Sequence, residues 1–199
     1  MKKLKIKFKK LIENTIELNS SKSESNRLLI IKAISKKKII INNLSNANDT
    51  IILKNLIVKN SKKIWDAEDA GTTMRFLTSY LALVKEDVII TGTIRMKKRP
   101  IKILVDALNK IGSKIYYTDE IGYPPLKIDK KINQKNNTIS IRGDISSQYI
   151  SSLLMIGPKL KNGLNIIIEE PFYSKPYVLM TLNLMKKFGI SSLFNGNKI

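Results

Sequence analysis

Short polar segments that contain Gly, Ser, Thr, Arg or Lys stand directly before apolar segments with helical spacing at several places in this sequence. In the clearest case, within residues 66–84, Gly71 stands at the predicted start of a helix and Arg75 follows one turn later. Free N–H groups and the helix dipole favour an anion at such a start, and a glycine lets a ligand approach the backbone. The segment therefore predicts a seat for a phosphate or a carboxylate. The alternative is that this Gly-Thr-Thr start is only a cap.

Four other segments share this design of a polar entry followed by an apolar helix, and they are residues 21–27, 95–100, 146–148 and 174–177. We take Lys22, Gly71, Arg99, Ser146 and Lys175 as markers. The gaps between them are about 49, 28, 47 and 29 residues, so long and short gaps alternate and sum to a repeat of about 76 residues. A repeat with two helices per unit would direct several helix starts toward one place.

Some of these helix starts carry more charge or more polar groups than capping requires. Lys22 and Arg27 put two cations at the positive end of one helix, which is unfavourable unless an anion lies between them. Ser146 and Ser147, followed by Gln148, offer more hydrogen bonds than a cap needs. Such an excess suits a polyhydroxy ligand or a phosphate.

Two arginines, four residues apart, precede Pro100. Arg95 lies closer to the end of a predicted strand, where ligands of sheet-based folds gather, and it is the candidate for binding an anion. Arg99 can instead be structural and tie loops together.

Composition sets the limits of the function. The chain has 199 residues, enough for one domain, and its 36 Lys and Arg against 16 Asp and Glu give a formal charge of +20. This charge suits acidic ligands, but the lysines are scattered along the chain, so compositional drift is favoured over a nucleic-acid-binding surface.

Cysteine and histidine are both absent. Disulfides, a thiolate nucleophile, Ser-His-Asp catalysis and a zinc site with Cys or His ligands are therefore excluded within this chain, and we predict no metal. No apolar run approaches the roughly 18 residues of a membrane span, and no signal-peptide core is evident, so we expect a soluble cytoplasmic protein without a membrane partner.

The periodicity of the apolar residues predicts a mixed α/β (α+β) chain. Predicted helices cover residues 19–35, 49–59, 71–84 and 100–112, and two more begin near residues 146 and 174. Predicted strands lie within residues 1–18, where a frayed basic tail is the alternative, and at 38–41, 87–93, 114–117, 126–128, 138–141, 164–168 and 190–194.

Five motifs appear in order, namely Ser21-Lys22-Ser23-x-Ser25-Asn26-Arg27, Asp69-Ala70-Gly71-Thr72-x-Met74-Arg75, Arg95-Met96-x-x-Arg99-Pro100-Ile101, Ser146-Ser147-Gln148-Tyr149 and Ser174-Lys175-Pro176-Tyr177. With these motifs the chain, from about residue 20 to about residue 190, resembles the amino-terminal half of the 5-enolpyruvylshikimate-3-phosphate synthase family. The resemblance implies two similar domains, each built from three βαβαββ units. Residues 19–199 would form one domain of this enolpyruvyl transferase fold, and residues 1–18 a strand segment that packs on the other.

The resemblance also implies a reaction of the shikimate pathway, which leads to the aromatic amino acids. The enolpyruvyl group of phosphoenolpyruvate moves to the 5-hydroxyl of shikimate 3-phosphate, and phosphate is released. The family needs no metal or organic cofactor. By the motif match, shikimate 3-phosphate would be bound by Lys22, Ser23, Arg27, Ser146, Ser147, Gln148 and Ser174. Phosphoenolpyruvate would be bound by Lys22, Gly71, Arg95 and Gln148.

The sequence departs from the family pattern at two positions. The family usually has Asn where this chain has Asp69, and a carboxylate near phosphoenolpyruvate is unfavourable unless Arg75 or a lysine screens it. Phe76 stands where many members have Pro, which would shift the helix start and alter sensitivity to glyphosate, the inhibitor that mimics phosphoenolpyruvate.

Length is the third departure, because family members run to roughly twice this chain, as two domains of about 200 residues would require. The carboxylate and lysine of proton transfer would lie beyond residue 199, in the second half. We therefore expect this chain alone to bind shikimate 3-phosphate weakly and to turn over poorly. A fragment, one product of a split gene that needs a second chain, and a decaying gene are the alternatives.

Three other functions are alternatives to this enzyme. A transferase of the same fold that acts on UDP-N-acetylglucosamine commonly uses a cysteine in this half, and the chain has none. A basic nucleic-acid-binding protein would interleave aromatic residues with a clustered basic face. A non-catalytic remnant that binds shikimate 3-phosphate is the closest alternative.

Overall fold

The computed structural model describes residues 15, 17–35, 38–59 and 63–199. Helices and strands follow the chain as α1 (Lys22–Ile34), α2 (Asn48–Val58), β1 (Ile64–Asp66), α3 (Gly71–Val84), β2 (Val88–Thr91), α4 (Ile94–Lys97), α5 (Lys102–Ile111), β3 (Lys114–Tyr117), β4 (Leu126–Lys130), β5 (Thr138–Arg142), α6 (Ser147–Ile156), β6 (Asn165–Glu169) and α7 (Lys175–Lys187). The predicted α/β class is confirmed. Within the described ranges, no helix is both long and apolar enough to cross a membrane.

Strands β1 to β4 form one sheet in the order β1-β2-β4-β3. Strands β1 and β2 are parallel, so the chain must cross over between them, and α3 makes that crossover. Strand β4 runs antiparallel to both β2 and β3, while α5 lies between β2 and β3 in the sequence. These elements, with the short α4 inserted, form one complete βαβαββ unit, as the resemblance implied.

A second unit begins with β5 and β6, which are parallel and joined by α6, and α7 follows. The end of the chain pairs along β6, because Ile199 N donates to Ile166 O at 3.0 Å and Ile166 N donates to Ile199 O at 2.7 Å. The strand predicted at residues 190–194 is wrong, since those residues have no regular structure. A turn closed by Asn195 and Lys198 follows these residues. It brings Lys198, and not residues 190–194, to Ile167 of β6.

The strand predicted at residues 38–41 is also wrong. These residues have no regular structure, and the side chain of Ile40 is 75% exposed. Apolar residues form a strand only where a neighbouring strand completes their backbone hydrogen bonds, and within the described ranges no strand pairs with this segment. The strand predicted within residues 1–18 lies outside the described residues, except that residues 15, 17 and 18 are irregular.

Helix α3 is the centre of the molecule. Every residue from Gly71 to Ala82 is buried, because α3 packs against α1, α2 and α6 on its sides and against β2 and β4 of the sheet. Helical spacing predicts a buried apolar face of Met74, Leu77, Leu81 and Val84. The buried surface is wider than that face, while Val84 itself is 39% exposed. A helix that is covered on all sides can position groups at its start rigidly.

The apolar spacing of α1 predicts a buried face of Leu28, Ile31 and Ile34, but of these only Ile31 is fully buried. The helix's polar residues Ser25, Asn26 and Arg27 are buried together with Leu29, Ile30 and Ile31, whereas Leu28 and Ile34 are half-buried. The first turn of α1 is polar because it packs against α6 and α7 where their own polar first turns lie. The buried polar cluster thus marks a place where helix starts converge.

Candidate functional site

A cavity of about 450 Å³ lies where α1, α3, α6 and α7 begin. Its wall includes Thr72 of α3 and Tyr177 of α7. It also includes all seven residues predicted to bind shikimate 3-phosphate, namely Lys22, Ser23, Arg27, Ser146, Ser147, Gln148 and Ser174. The structure therefore brings together residues that are up to about 150 positions apart in the sequence, and it does so by converging helix starts, as the repeat predicted.

One side of the cavity, which we call the hydroxyl side, consists of Ser146, Ser147 and Ser174. Ser146 is the N-cap of α6, and its Oγ accepts a hydrogen bond from Gln148 N at 3.3 Å. Ser174 precedes α7, and its buried Oγ has no hydrogen-bond partner among the described residues. A buried hydroxyl without a partner is costly, and a ligand that bonds to it removes that cost.

Gln148 connects two of the converging helices. Its Nε2 donates to Thr72 Oγ1 at 3.1 Å, so the first turn of α6 is bonded to the first turn of α3. The amide oxygen of Gln148 remains available as an acceptor toward the cavity that the residue lines.

Arg27 is almost fully buried, at 2% exposure, and three helices hold its guanidinium. Its Nε donates to Thr181 Oγ1 at 2.6 Å, Nη1 to Ser23 O at 2.8 Å and Nη2 to Ser151 Oγ at 2.9 Å. Burial lowers the pKa of Arg27 to about 10, and the negative charge of Glu24 and the phenol of Tyr177 oppose that shift. These bonds use three of the five N–H groups of the guanidinium and fix its orientation at the cavity wall.

Beside the cavity, at the start of α3, lies a group of residues that we call the cation side. It consists of Lys22, which also lines the cavity, and of Gly71 and Arg99, which do not. Lys22 Nζ lies 3.5 Å from Asp49 Oδ1, and Asp49 Oδ2 accepts from Thr72 N at 3.3 Å. Helix α3 has no side-chain cap of its own, because its N-cap residue is Ala70. A carboxylate from α2 therefore occupies the positive end of α3 in this structure. Nothing in the sequence distinguishes Asp49, since an acid in the first turn of a helix is common.

Arg99, and not Arg95, lies against the start of α3. A methyl group added at Gly71 would meet Arg99 Nη1 at 2.1 Å, so the guanidinium uses the space that glycine leaves. Burial lowers the pKa of Arg99, and repulsion by Arg75 and Arg95 lowers it further, while Asp49 opposes the shift. Arg95 itself is exposed on α4. Sequence spacing alone could not show which arginine meets Gly71, because Arg95 lies in the short helix α4 and Arg99 follows only two residues after it.

Arg75 supports the start of α3 from within. Its Nη1 donates to Gly71 O at 3.0 Å, and its guanidinium lies 5.5 Å from the ring centre of Tyr149. Tyr149 Oη in turn donates to Pro100 O at 2.6 Å, next to Arg99. The backbone on both sides of the anion seat is thus fixed by buried polar contacts.

The two departures from the family pattern have different structural roles. Phe76 is fully buried, and its ring lies 5.3 Å below the guanidinium of Arg27, so it fills the core under the cavity wall. The expected shift of the helix start is not seen, because α3 begins at Gly71 as the sequence predicted. The carboxylate of Asp69 is exposed and accepts a hydrogen bond from the hydroxyl of Thr93.

Among the residues that line the cavity, Asp144 is the one that carries a carboxylate, and it lies two residues before Ser146. Arg142 donates to both of its oxygens, with Nη2 to Oδ2 at 2.7 Å and Nε to Oδ1 at 3.1 Å. This bonding lowers the pKa of Asp144, so the group is an ion-paired carboxylate. Within the described ranges, no cluster of three or more acidic side chains could hold a metal ion.

Comparisons with known proteins identify the family to which this chain belongs. A family model described as EPSP synthase (3-phosphoshikimate 1-carboxyvinyltransferase) matches residues 51–192, more than half of the chain. The chain belongs to the EPSP synthase family. The 3-phosphoshikimate 1-carboxyvinyltransferase of Bacteroides fragilis (strain YCH46) is 46% identical over 187 residues, which are 94% of this chain and 45% of the relative. The enzyme of the same name from Buchnera aphidicola subsp. Cinara cedri is 40% identical over 214 residues, covering 94% of this chain and 48% of that one.

The fold has also been observed in a solved structure. EPSP synthase from Acinetobacter baumannii superposes with a TM-score of 0.78 at 21% identity, over 92% of this chain and 45% of that chain. This likeness confirms that the chain has the fold of one domain of the EPSP synthase family. The chain spans about half the length of the curated relatives that it matches.

Proposed function

We propose that this chain forms the shikimate 3-phosphate-binding part of an enolpyruvyl transferase. The reaction would move the enolpyruvyl group of phosphoenolpyruvate to the 5-hydroxyl of shikimate 3-phosphate and release phosphate. One observation carries the proposal: four helix starts and the side chains predicted for this ligand converge on one cavity. Helix starts, hydroxyls and cations are the groups that bind phosphorylated, polyhydroxylated ligands.

The hydroxyl side and Arg27 would bind shikimate 3-phosphate, together with Lys22, Ser23 and Gln148. The uncommitted Oγ of Ser174 and the two N–H groups that Arg27 does not use internally support this assignment. Because these groups are held by bonds within the protein, they would need little rearrangement when the ligand binds.

The cation side would bind phosphoenolpyruvate at the start of α3. Lys22, Gly71, Arg95 and Gln148 are the residues predicted for this substrate, and the geometry adds Arg99, whose guanidinium lies against Gly71. Both substrates are anions, so cations between them would offset their mutual repulsion. Asp49 now occupies the N–H group of Thr72, and we propose that phosphoenolpyruvate replaces it there.

Proton transfer would need groups from a second domain, on this polypeptide or on another chain. The two carboxylates nearest the cavity, Asp49 and Asp144, are each paired with a cation and are poorly suited to act as a general acid or base. We propose a cytoplasmic enzyme without a metal or organic cofactor, in keeping with its family.

Calorimetric titration of shikimate 3-phosphate into the purified chain tests the proposal. We expect saturable binding that falls at least about tenfold in Lys22→Ala, because a charge-assisted hydrogen bond is lost. Lys63→Ala is a matched control, since Lys63 pairs with Asp87 at 3.4 Å at the far end of β1, much as Lys22 pairs with Asp49. A folded chain that binds no shikimate 3-phosphate, or equal losses in both variants, would contradict the proposal.

A further inference from the structure

Two loops of the complete βαβαββ unit are bonded together where β1 and β2 end. Ala67 N donates to Thr91 O at 2.8 Å, and Thr93 N donates to Glu68 O at 3.3 Å. A side chain at Gly92 would lie 2.5 Å from Glu68 O, so the two loops touch through their backbones. One loop leads into α3 and the other leads into α4, which means that the contact fixes the two helix starts relative to each other.

The hydroxyl of Thr93 completes this contact. It donates its single proton to the carboxylate of Asp69 and accepts a hydrogen bond from Met96 N at 3.3 Å as the N-cap of α4. A carboxylate can only accept, so the direction of the bond between Asp69 and Thr93 is fixed. One threonine therefore joins the segment before α3 to the first turn of α4.

This bond belongs to a ring of contacts that contains the anion seat. From α4 the chain continues to Arg99, whose N donates to Met96 O at 3.0 Å. The guanidinium of Arg99 then returns to Gly71, two residues after Asp69. If the bond between Asp69 and Thr93 is lost, the backbone bonds between the two loops remain, but the side-chain bond that joins Asp69 to the N-cap of α4 is gone. The start of α4, and with it Arg99, would then be held less firmly against α3.

We infer that Asp69 is a positioning residue, whose bond to Thr93 sets the place of the Arg99 guanidinium over the first turn of α3. The inference rests on the proposed function, because phosphoenolpyruvate is taken as the anion that Arg99 meets there. The carboxylate has a cost as well as a use. Its negative charge lies two residues from the seat of an anion and opposes binding, while its oxygen holds the cation that favours binding.

These two effects can be separated by substitution. Asp69→Asn keeps an oxygen acceptor for Thr93 but removes the charge, so we expect phosphoenolpyruvate to bind a few-fold more tightly. Asp69→Ala and Thr93→Val break the bond, and we expect binding to weaken about tenfold. Thr93→Ser keeps the hydroxyl and should behave like the wild type. Unchanged affinity in both Asp69→Ala and Thr93→Val would contradict the positioning role.

The position of Arg99 can be measured without any ligand. Phenylglyoxal modifies accessible guanidinium groups, and mass spectrometry of peptides gives the rate at each arginine. We expect the rate at Arg99 to rise several-fold in Asp69→Ala and Thr93→Val and to stay unchanged in Asp69→Asn and Thr93→Ser. Arg142, which is bonded to Asp144 on another loop, is the internal control and should react equally in all variants.

The two measurements separate the inference from the proposed function. Equal Arg99 rates in all variants would overturn the inference and leave the proposed function intact. The expected pattern of rates in a chain that binds no phosphoenolpyruvate, even with shikimate 3-phosphate present, would support the positioning role and contradict the proposed ligand. If Thr93→Val does not fold, Asp69→Ala tests the same bond without removing the cap of α4.

Discussion

The starts of α6 and α3 face the same cavity, but they are stabilised in different ways. Helix α6 is capped by its own preceding residue, Ser146, as α1 is capped by Ser21. Helix α3 has no such cap, and its first turn is bonded to Asp49 from α2 and covered by Arg99 from the segment after α4. The start of α6 is therefore stabilised locally by its preceding residue, whereas the start of α3 is stabilised by charged groups from distant segments.

This difference suggests that the starts of α6 and α3 have separate roles in recognising a ligand. A locally capped start keeps its geometry whether or not a ligand is present, which suits recognition of shape. A start that is held by an ion pair can exchange one anion for another, because Lys22 and the N–H of Thr72 can transfer from Asp49 to a ligand. The hydroxyl side would then recognise the shape of a ligand, and the cation side would recognise its charge.

The largest effect should come from exchanging the buried arginine. In Arg27→Met we expect the free energy of unfolding to fall by about 3 kcal/mol, because three internal hydrogen bonds are lost in a buried site. In Arg99→Met we expect a fall of less than about 1 kcal/mol, because Arg99 is exposed and its guanidinium lies in the space beside Gly71. Urea unfolding followed by the fluorescence of Trp65, which is buried and is the one tryptophan of the chain, measures both. Equal losses would contradict the different structural roles of the two arginines.

A smaller effect distinguishes two serines of the hydroxyl side. Ser146→Ala should lower the free energy of unfolding by about 1 kcal/mol, because the cap of α6 is lost. Ser174→Ala should change it by no more than about 0.5 kcal/mol, because Ser174 Oγ makes no hydrogen bond with the described residues. Both variants should bind shikimate 3-phosphate more weakly in calorimetric titration. A stability loss in Ser174→Ala as large as that in Ser146→Ala would show that Ser174 is structural.

The smallest effect on stability should follow from Asp49→Asn. The amide oxygen can still accept from Thr72 N, so we expect the free energy of unfolding to change by no more than about 0.5 kcal/mol. The competing charge at the start of α3 is removed, and phosphoenolpyruvate should bind a few-fold more tightly, most clearly at low salt. Titration at two salt concentrations measures this gain. Weaker binding in Asp49→Asn would mean that the carboxylate supports the ligand and does not compete with it.

The sequence predicted those parts of the molecule that depend on neighbouring residues. The helix starts at Gly71 and Ser146 follow from local polar and apolar patterns, and Gly112 ends α5 with a φ of 128°, as a helix-stop glycine does. The clustering of the predicted ligand residues also followed, because a repeat of helix starts implies convergence. Their roles toward substrates stay predictions.

The parts that depend on tertiary contacts could not be predicted. The sequence does not show that Asp49 caps a helix 22 residues further on, or that it is Arg99 that folds back onto Gly71. The strand predictions for residues 38–41 and 190–194 are wrong for the same reason, because a strand forms only where it can pair with a partner strand.

The bond from Arg27 to Thr181 joins residues that are 154 positions apart, and it therefore has a consequence for the order of folding. Closing so long a loop is entropically slow, and contacts of this range are completed after local ones. During synthesis, Arg27 finds its partner only after the 154 residues up to Thr181 of α7 have followed it. The cavity is accordingly completed after the local elements around it, and a nascent chain that ends before α7 would have the starts of α1, α3 and α6 without the last wall of the cavity.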